Sequence, residues 1–265
     1  MIAKLLNALA KVFTVTNVKG GVGKTTLTVN LAVSLAMLKF KVLILDFDYS
    51  NSAKNLLLDP KDINAFVNKP TVEDLFRKSG IDLNTVILPT IYGVDIILST
   101  RALKQLEEDL SPNANMASEL LNNFKGYFDV LRNNYDFIVI DTHPGGSLVG
   151  VSYLVSTHAL VVTQLQSEPI EKVGDTLTDI EEAKSGNPNL QIAGIVPTQA
   201  RIHTLADKNN LDLLRGLYKS RAPILDVIAL NTLHSQAGTL QQPLVTLFPD
   251  SDSAKSYKKL AGVLK

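Results

Sequence analysis

The chain has 265 residues, 45% of them hydrophobic and 20% charged, and its 26 basic and 26 acidic side chains cancel. With no cysteine, it forms no disulfide, thiolate metal site or iron–sulfur cluster. Zero net charge leaves any polyanion-binding surface to local clustering. No apolar run reaches the length of a membrane span, and runs such as 42–45 and 137–140 read as buried strands.

Residues 1–11 are expected to form a short amphipathic N-terminal extension rather than a signal peptide. Asn7 interrupts the apolar stretch, which runs straight into the first strand. Strands are predicted at 12–17, 41–46, 94–98, 136–141, 158–163, 191–196 and 224–228. Helices are predicted at 24–38, 71–78, 101–109, 114–133, 170–184, 204–220 and 252–264. Strands alternating with helices argue for βαβ units and a parallel sheet. Continuous apolar strands argue for helices on both faces. The expected fold is one α/β domain spanning 1–265, a doubly wound, mostly parallel sheet with helices on both faces, closed by a C-terminal helix at 252–264. The clearest loops are 59–70 and 143–150.

Between the first strand and first helix runs Lys19-Gly20-Gly21-Val22-Gly23-Lys24-Thr25-Thr26. Glycines let the backbone curl so that successive N–H groups face phosphate oxygens, and the helix N-terminus adds its positive dipole end. In that setting Lys24 reaches the β- and γ-phosphates and the Thr25 hydroxyl holds Mg²⁺. Val18 stands where the ordinary loop pattern wants glycine, and Lys19 is an additional lysine at the loop's start.

The strand 41–46 leads into Asp46-Phe47-Asp48, expected beside the phosphate loop of the neighbouring strand. Asp48 is assigned to orient or deprotonate the attacking water, and Asp46 to support the metal shell. The strand 136–141 ends in Asp141-Thr142-His143-Pro144-Gly145-Gly146. Four apolar residues followed by an acid suit a second carboxylate holding Mg²⁺ through water. The residues expected to contact the metal are Thr25, Asp48 and Asp141, with Asp46 behind them. The glycines permit a switch loop sensing the γ-phosphate, and His143 is read as incidental.

These runs together resemble the ParA/MinD family of deviant Walker A ATPases, and within it the Soj-like DNA-partition proteins. Residues 19–26 resemble its K-G-G-x-x-K-T-T loop, and 46–48 its D-x-D switch. Residues 96–100 resemble the segment before its third helix, 135–142 its Walker B strand, and 253–260 the terminal helix of partition members. Residues 194–198 resemble the later strand whose end contacts adenine. The resemblance implies that ATP and Mg²⁺ are the cofactors. Nucleotide binding falls to Lys19, Gly20, Gly21, Val22, Gly23, Lys24, Thr25, Thr26, Thr198 and Asn231, and catalysis to Lys19, Lys24 and Asp48. Lys19 would contact ATP in the opposite subunit, so ATP would assemble a sandwich homodimer and hydrolysis would undo it. Partition members bind DNA without sequence preference as ATP dimers. A ParB-like partner stimulates their hydrolysis, which places such a protein in the cytoplasm on the nucleoid.

Three departures stand out. Tyr49-Ser50 follow the D-x-D where the family has Pro-Gln, and His143 precedes Pro144 in place of a second proline. Residues 228–233 lack the proline and arginines of the family's I-P-R-N-V-R, keeping Asn231. A DNA surface would then fall to Arg201, Lys208, Arg215, Lys219, Arg221, Lys255, Lys258 and Lys259. The alternative is a MinD-like ATPase cycling on membranes, for which the C-terminal residues 257–265 offer a thin apolar face without Phe or Trp.

Overall fold

The computed structural model describes residues 9–50, 52–59, 69–111, 116–201 and 203–265. Among these, the elements in chain order are β1 (Lys11–Thr16), α1 (Lys24–Met37), β2 (Val42–Phe47), α2 (Ser52–Leu57), α3 (Val72–Arg77), α4 (Leu83–Val86), β3 (Leu88–Pro89) and β4 (Val94–Ile97). There follow α5 (Leu103–Asp109), α6 (Ala117–Asn134), β5 (Phe137–Thr142), α7 (Ser147–Val155), β6 (His158–Gln164), α8 (Ser167–Ala183) and β7 (Gln191–Thr198). The chain closes with α9 (Leu205–Tyr218), α10 (Thr232–Thr239), α11 (Leu244–Leu247) and α12 (Asp252–Leu264).

The strands form one sheet in the order β3-β4-β2-β5-β1-β6-β7. All pairs are parallel except β3 with β4. Side chains alternate between faces along each strand. Phe13 and Val15, Val42 and Ile44, and Phe137 and Val139 share a core with Leu27, Leu31 and Leu35 of α1 and Tyr257, Leu260 and Leu264 of α12. Leu43, Leu45, Phe47, Ile138 and Ile140 face α3, α5 and α6 on the other side. There Phe76 and Phe124 stack with centroids 4.3 Å apart.

β5 lies between β1 and β2, so the strand carrying Asp46 is not the neighbour of the phosphate-loop strand, contrary to expectation. The interposed strand is the one that carries Asp141, which pairs it with Asp46 in register across β2 and β5. The expected N-terminal helix falls mainly on residues 1–8, outside the described residues. Within its span, Leu9 and Ala10 are not helical and Lys11 opens β1, hydrogen-bonding Asp136 O from its N–H at 3.0 Å. Most of the expected 59–70 loop also falls outside the described residues.

Three further expectations change. The 143–150 loop is shorter, because Ser147 starts α7. That helix buries Leu148, Val149, Val151, Ser152, Tyr153 and Val155, so it lacks the polar face that makes a helix legible. α8 begins at Ser167 rather than 170, because Pro169 falls in its first turn, where no N–H is needed. Residues 224–228 run alongside β7 through bridges at Ile195–Ile224 and Ala200–Ala229 but form no regular strand. Pro197 of β7 accepts from Ile228 N–H at 2.8 Å and has no N–H to return, which interrupts the ladder.

Candidate nucleotide site

The loop from β1 to α1 is built for an anion. Gly21 (φ 76°) and Gly23 (φ 91°) take left-handed backbone conformations, which glycine adopts at no steric cost. Gly23 caps α1, and no side chain occupies the cap. The first N–H groups of a 14-residue helix therefore face the cavity, where they attract phosphate.

The loop is clamped from several sides. Asn17 donates from Nδ2 to Val162 O (2.6 Å) and accepts Lys19 N–H (2.7 Å). The Thr198 hydroxyl donates to Val22 O at 2.6 Å. Gln199 and Gln164 both donate to Gly21 O, at 3.0 and 3.1 Å, and Gln164 also bonds Gln199 Oε1 at 2.7 Å. Thr198 thus acts on the loop from below, its hydroxyl already committed. The two glutamines at the ends of β6 and β7 carry no motif in sequence.

Lys24 is buried, and its Nζ bonds the carbonyls of Asn17 and Lys19 at 3.2 Å each. Burial lowers its pKa, opposed by the charges of Asp141 and Asp48. Lys19 behaves differently. Its Nζ pairs with Glu168 Oε1 at 2.6 Å at the protein surface, where Lys19 and Glu168 side chains are 37% and 63% exposed.

Asp46 and Asp141 face each other across β2 and β5, both fully buried. Asp46 Oδ1 accepts Asp48 N–H at 3.0 Å, and Asp141 Oδ1 accepts the Thr28 hydroxyl at 3.2 Å. Each Oδ2 lacks a hydrogen-bond partner. Desolvation, reinforced by Asp141, drives the Asp46 carboxyl well above the usual range. Desolvation raises Asp141 to about 7, with Asp48 adding to it and Thr25, Lys24 and Thr28 opposing.

The orphaned Oδ2 of Asp141, with the Thr25 hydroxyl as a neighbour and the Asp46 carboxylate on the adjacent strand, fits a hard divalent cation. Among the described residues no group of three or more His, Cys, Asp or Glu side chains could hold a metal unaided. That donor set suits Mg²⁺, which binds through one or two carboxylates and completes its shell with water and phosphate oxygens.

The cavity above the loop measures about 490 Å³ and is lined by Gly21, Gly23 to Thr26, Asp48, Ser50, Asn55, Gln199, His234 and Leu244, among others. A slot of about 250 Å³ adjoins it, sharing Gly23, Thr26, Gln199 and His234 and adding Thr198, Ile228, Leu230 and Tyr257. Its size and apolar walls suit the base end of a nucleotide. Asn231 lines neither space. Its Nδ2 donates to Ser253 Oγ (2.9 Å) and its Oδ1 meets His234 Nδ1 (3.1 Å), so His234 is the residue that reaches the cavity. Gly20 sits beneath Pro144, whose Cγ is 3.5 Å from where a Cβ would stand.

The candidate DNA-contacting cations are scattered and partly neutralised. Arg215 pairs with Asp212 (3.3 Å), Lys259 with Asp226 (3.0 Å), and Lys258 Nζ bonds Pro249 O (2.8 Å). Arg201, Lys208, Lys219, Arg221 and Lys255 are exposed.

A family model described as an AAA domain matches residues 10–192. "Sporulation initiation inhibitor protein Soj" of Bacillus subtilis is 27% identical over 256 residues, covering 96% of this chain and 97% of that protein. "Chromosome-partitioning ATPase Soj" of Thermus thermophilus is 27% identical over 259 residues, covering 97% and 96%. The chain belongs to the ParA/MinD family of ATPases. The solved septum site-determining protein MinD of Pyrococcus horikoshii, complexed with Mg-ADP, superposes with a TM-score of 0.72 at 25% identity, covering 97% of this chain and 96% of that one. The glutamine clamp at Gly21, His234 in the cavity wall and the buried His143 are features of the site that no motif in the sequence announces.

Proposed function

We propose that this protein is a ParA-like partition ATPase. Mg-ATP binds the loop of residues 19–26, with Lys24 and the helix N-terminus on the phosphates, Thr25 and Asp141 toward the metal, and Asp48 beside the attacking water. ATP then assembles a sandwich homodimer that binds DNA non-specifically, and hydrolysis, stimulated by a ParB-like partner, releases it. When bound, Mg²⁺ supplies charge neutralisation between the phosphates.

The observation that carries this reading is the contrast between the two loop lysines. Lys24 is buried against its own loop, whereas Lys19 stands at the surface with an exposed carboxylate as its partner. Exposed pairs contribute only about 0–1 kcal/mol, so a phosphate of a second subunit can displace Glu168. That is the geometry a lysine acting across an interface requires.

The C-terminal helix favours partition over membrane cycling. Tyr257, Leu260, Ala261 and Leu264 of α12 are packed in the core against α1, so its apolar face is already used. No helix among the described residues is long and apolar enough to cross a membrane. DNA contact on the nucleoid falls to the exposed cations around α9 and α12. Retention on non-specific duplex DNA with Mg-ATP, declining steeply with salt, tests the reading. ATP-dependent pelleting with anionic vesicles and no DNA retention would favour the MinD-like alternative.

A further inference from the structure

Two departures from the family pattern touch each other. Tyr49 follows the Asp48 switch and His143 follows the Asp141 strand, and their ring centroids lie 5.1 Å apart. His143 is 4% exposed, yet both its ring nitrogens are engaged. Nδ1 lies 3.2 Å from Phe47 O, and Nε2 lies 3.0 Å from Glu107 Oε2. The Phe47 carbonyl and the Glu107 carboxylate are both acceptors, so the His143 ring is held between an acceptor on each side.

The near end of this bridge grips the peptide leading into Asp48. The Phe47 carbonyl takes the His143 ring and, at 3.4 Å, the His143 N–H, while the N–H of the same peptide unit donates to Asp46 Oδ1. The next carbonyl, that of Asp48, accepts the Ser99 hydroxyl at 3.0 Å. The main chain on both sides of Asp48 is thereby held.

The far end is anchored in α5 and at the start of α7. Glu107 Oε1 lies 3.5 Å from Leu148 N in the first turn of α7, where a carboxylate also meets the positive end of the helix dipole. Glu107 fits there because Gly146 has no side chain: a Cβ would overlap Glu107 Oε1, and the φ of 91° disfavours other residues.

We propose that His143 and Glu107 form a brace that holds the Asp48 loop in register with the loop after Asp141, making His143 a positioning residue for ATP hydrolysis. A proline stiffens a loop by fixing φ. Here the stiffening comes from a side-chain bridge between two loops and a third element. The inference rests on the reading that Asp48 serves hydrolysis.

Steady-state Mg-ATP hydrolysis by the full chain tests it, with Asp48→Ala measured in parallel and Tm recorded for every variant. His143→Ala and Glu107→Ala are each expected to lower kcat roughly tenfold or more while KM for ATP stays within about twofold, because misplacing Asp48 affects the chemical step. The double variant should be no slower than the slower single one, since both remove the same bridge. His143→Asn keeps a donor for Phe47 O, loses Glu107, and should show the same kcat loss. It stands in for His143→Ala should that variant fail to fold.

Wild-type kcat in His143→Asn or His143→Ala, losses that multiply in the double variant, or an effect on KM alone would overturn the brace. If Asp48→Ala turns over normally, the assignment of Asp48 fails and the brace fails with it. If Asp48→Ala is inactive and the His143 variants are not, the brace alone fails.

Discussion

Asp46 and Asp141 are paired directly across β2 and β5, fully buried, each with one carboxylate oxygen lacking a hydrogen-bond partner. Two like charges so placed repel, and burial penalises both ionised forms. In the protein alone, proton uptake relieves that repulsion; in the loaded protein a nearby cation does so.

The pH dependence follows with a definite sign. Asp141 titrates near 7 in the folded protein against 3.8 as its ordinary value. Its raised pKa therefore contributes stability that is fully present below about pH 4 and is lost as pH rises through about 7. Asp141→Asn should raise the stability of the nucleotide-free protein at pH 8 by on the order of 2–4 kcal/mol and leave it little changed at pH 4. Thermal melts at the two pH values check this. An equal effect at both would show that folding does not raise the Asp141 pKa.

The same substitution should abolish the stabilisation that Mg²⁺ adds to bound nucleotide. Melts of Asp141→Asn with ATP, with and without Mg²⁺, should coincide, whereas those of the parent should separate. A Mg²⁺-dependent shift of parental size in the variant would move the metal away from Asp141.

Much of this site was legible because its signals are local. β1 to α1 was placed to within a residue at each end, since the apolar run, the glycines and the helical period lie side by side. Asp48 and Asp141 were legible as acids at strand ends. Gln164, Gln199 and His234 were not, because their roles depend on where distant strand ends and α10 meet the loop. His143 read as incidental because its partners, Phe47 and Glu107, lie 96 and 36 residues away in the chain. α7 was hidden by burial on nearly all sides, and the segment after β7 looked like a strand because Pro197, which interrupts its ladder, belongs to the neighbouring one.

Gly23→Ala should cripple nucleotide binding. The φ of 91° costs an L-residue about 1–2 kcal/mol, and the new Cβ would lie 3.4 Å from Gln199 Nε2, within the clamp on Gly21. Titration with a fluorescent ATP analogue should show at least a tenfold loss of affinity. Unchanged affinity would mean that the capping geometry of α1 does not set phosphate recognition.

Lys19→Ala should keep ATP binding near the parental level, because Lys24 and the loop N–H groups remain, while lowering turnover and weakening self-association. Glu168→Ala should leave folded stability within about 1 kcal/mol, as expected for an exposed pair. Parental turnover in Lys19→Ala would remove this lysine from the reaction.

Solution molar mass tests the central claim most directly. With Mg-ATP, Asp48→Ala is predicted to accumulate as a dimer, since the bound nucleotide persists; with Mg-ADP it should be a monomer. Adding Lys19→Ala to that variant should return it to monomer with ATP still bound. A species whose mass ignores the nucleotide, or a dimer that survives the loss of Lys19, would contradict the ATP-switched dimer.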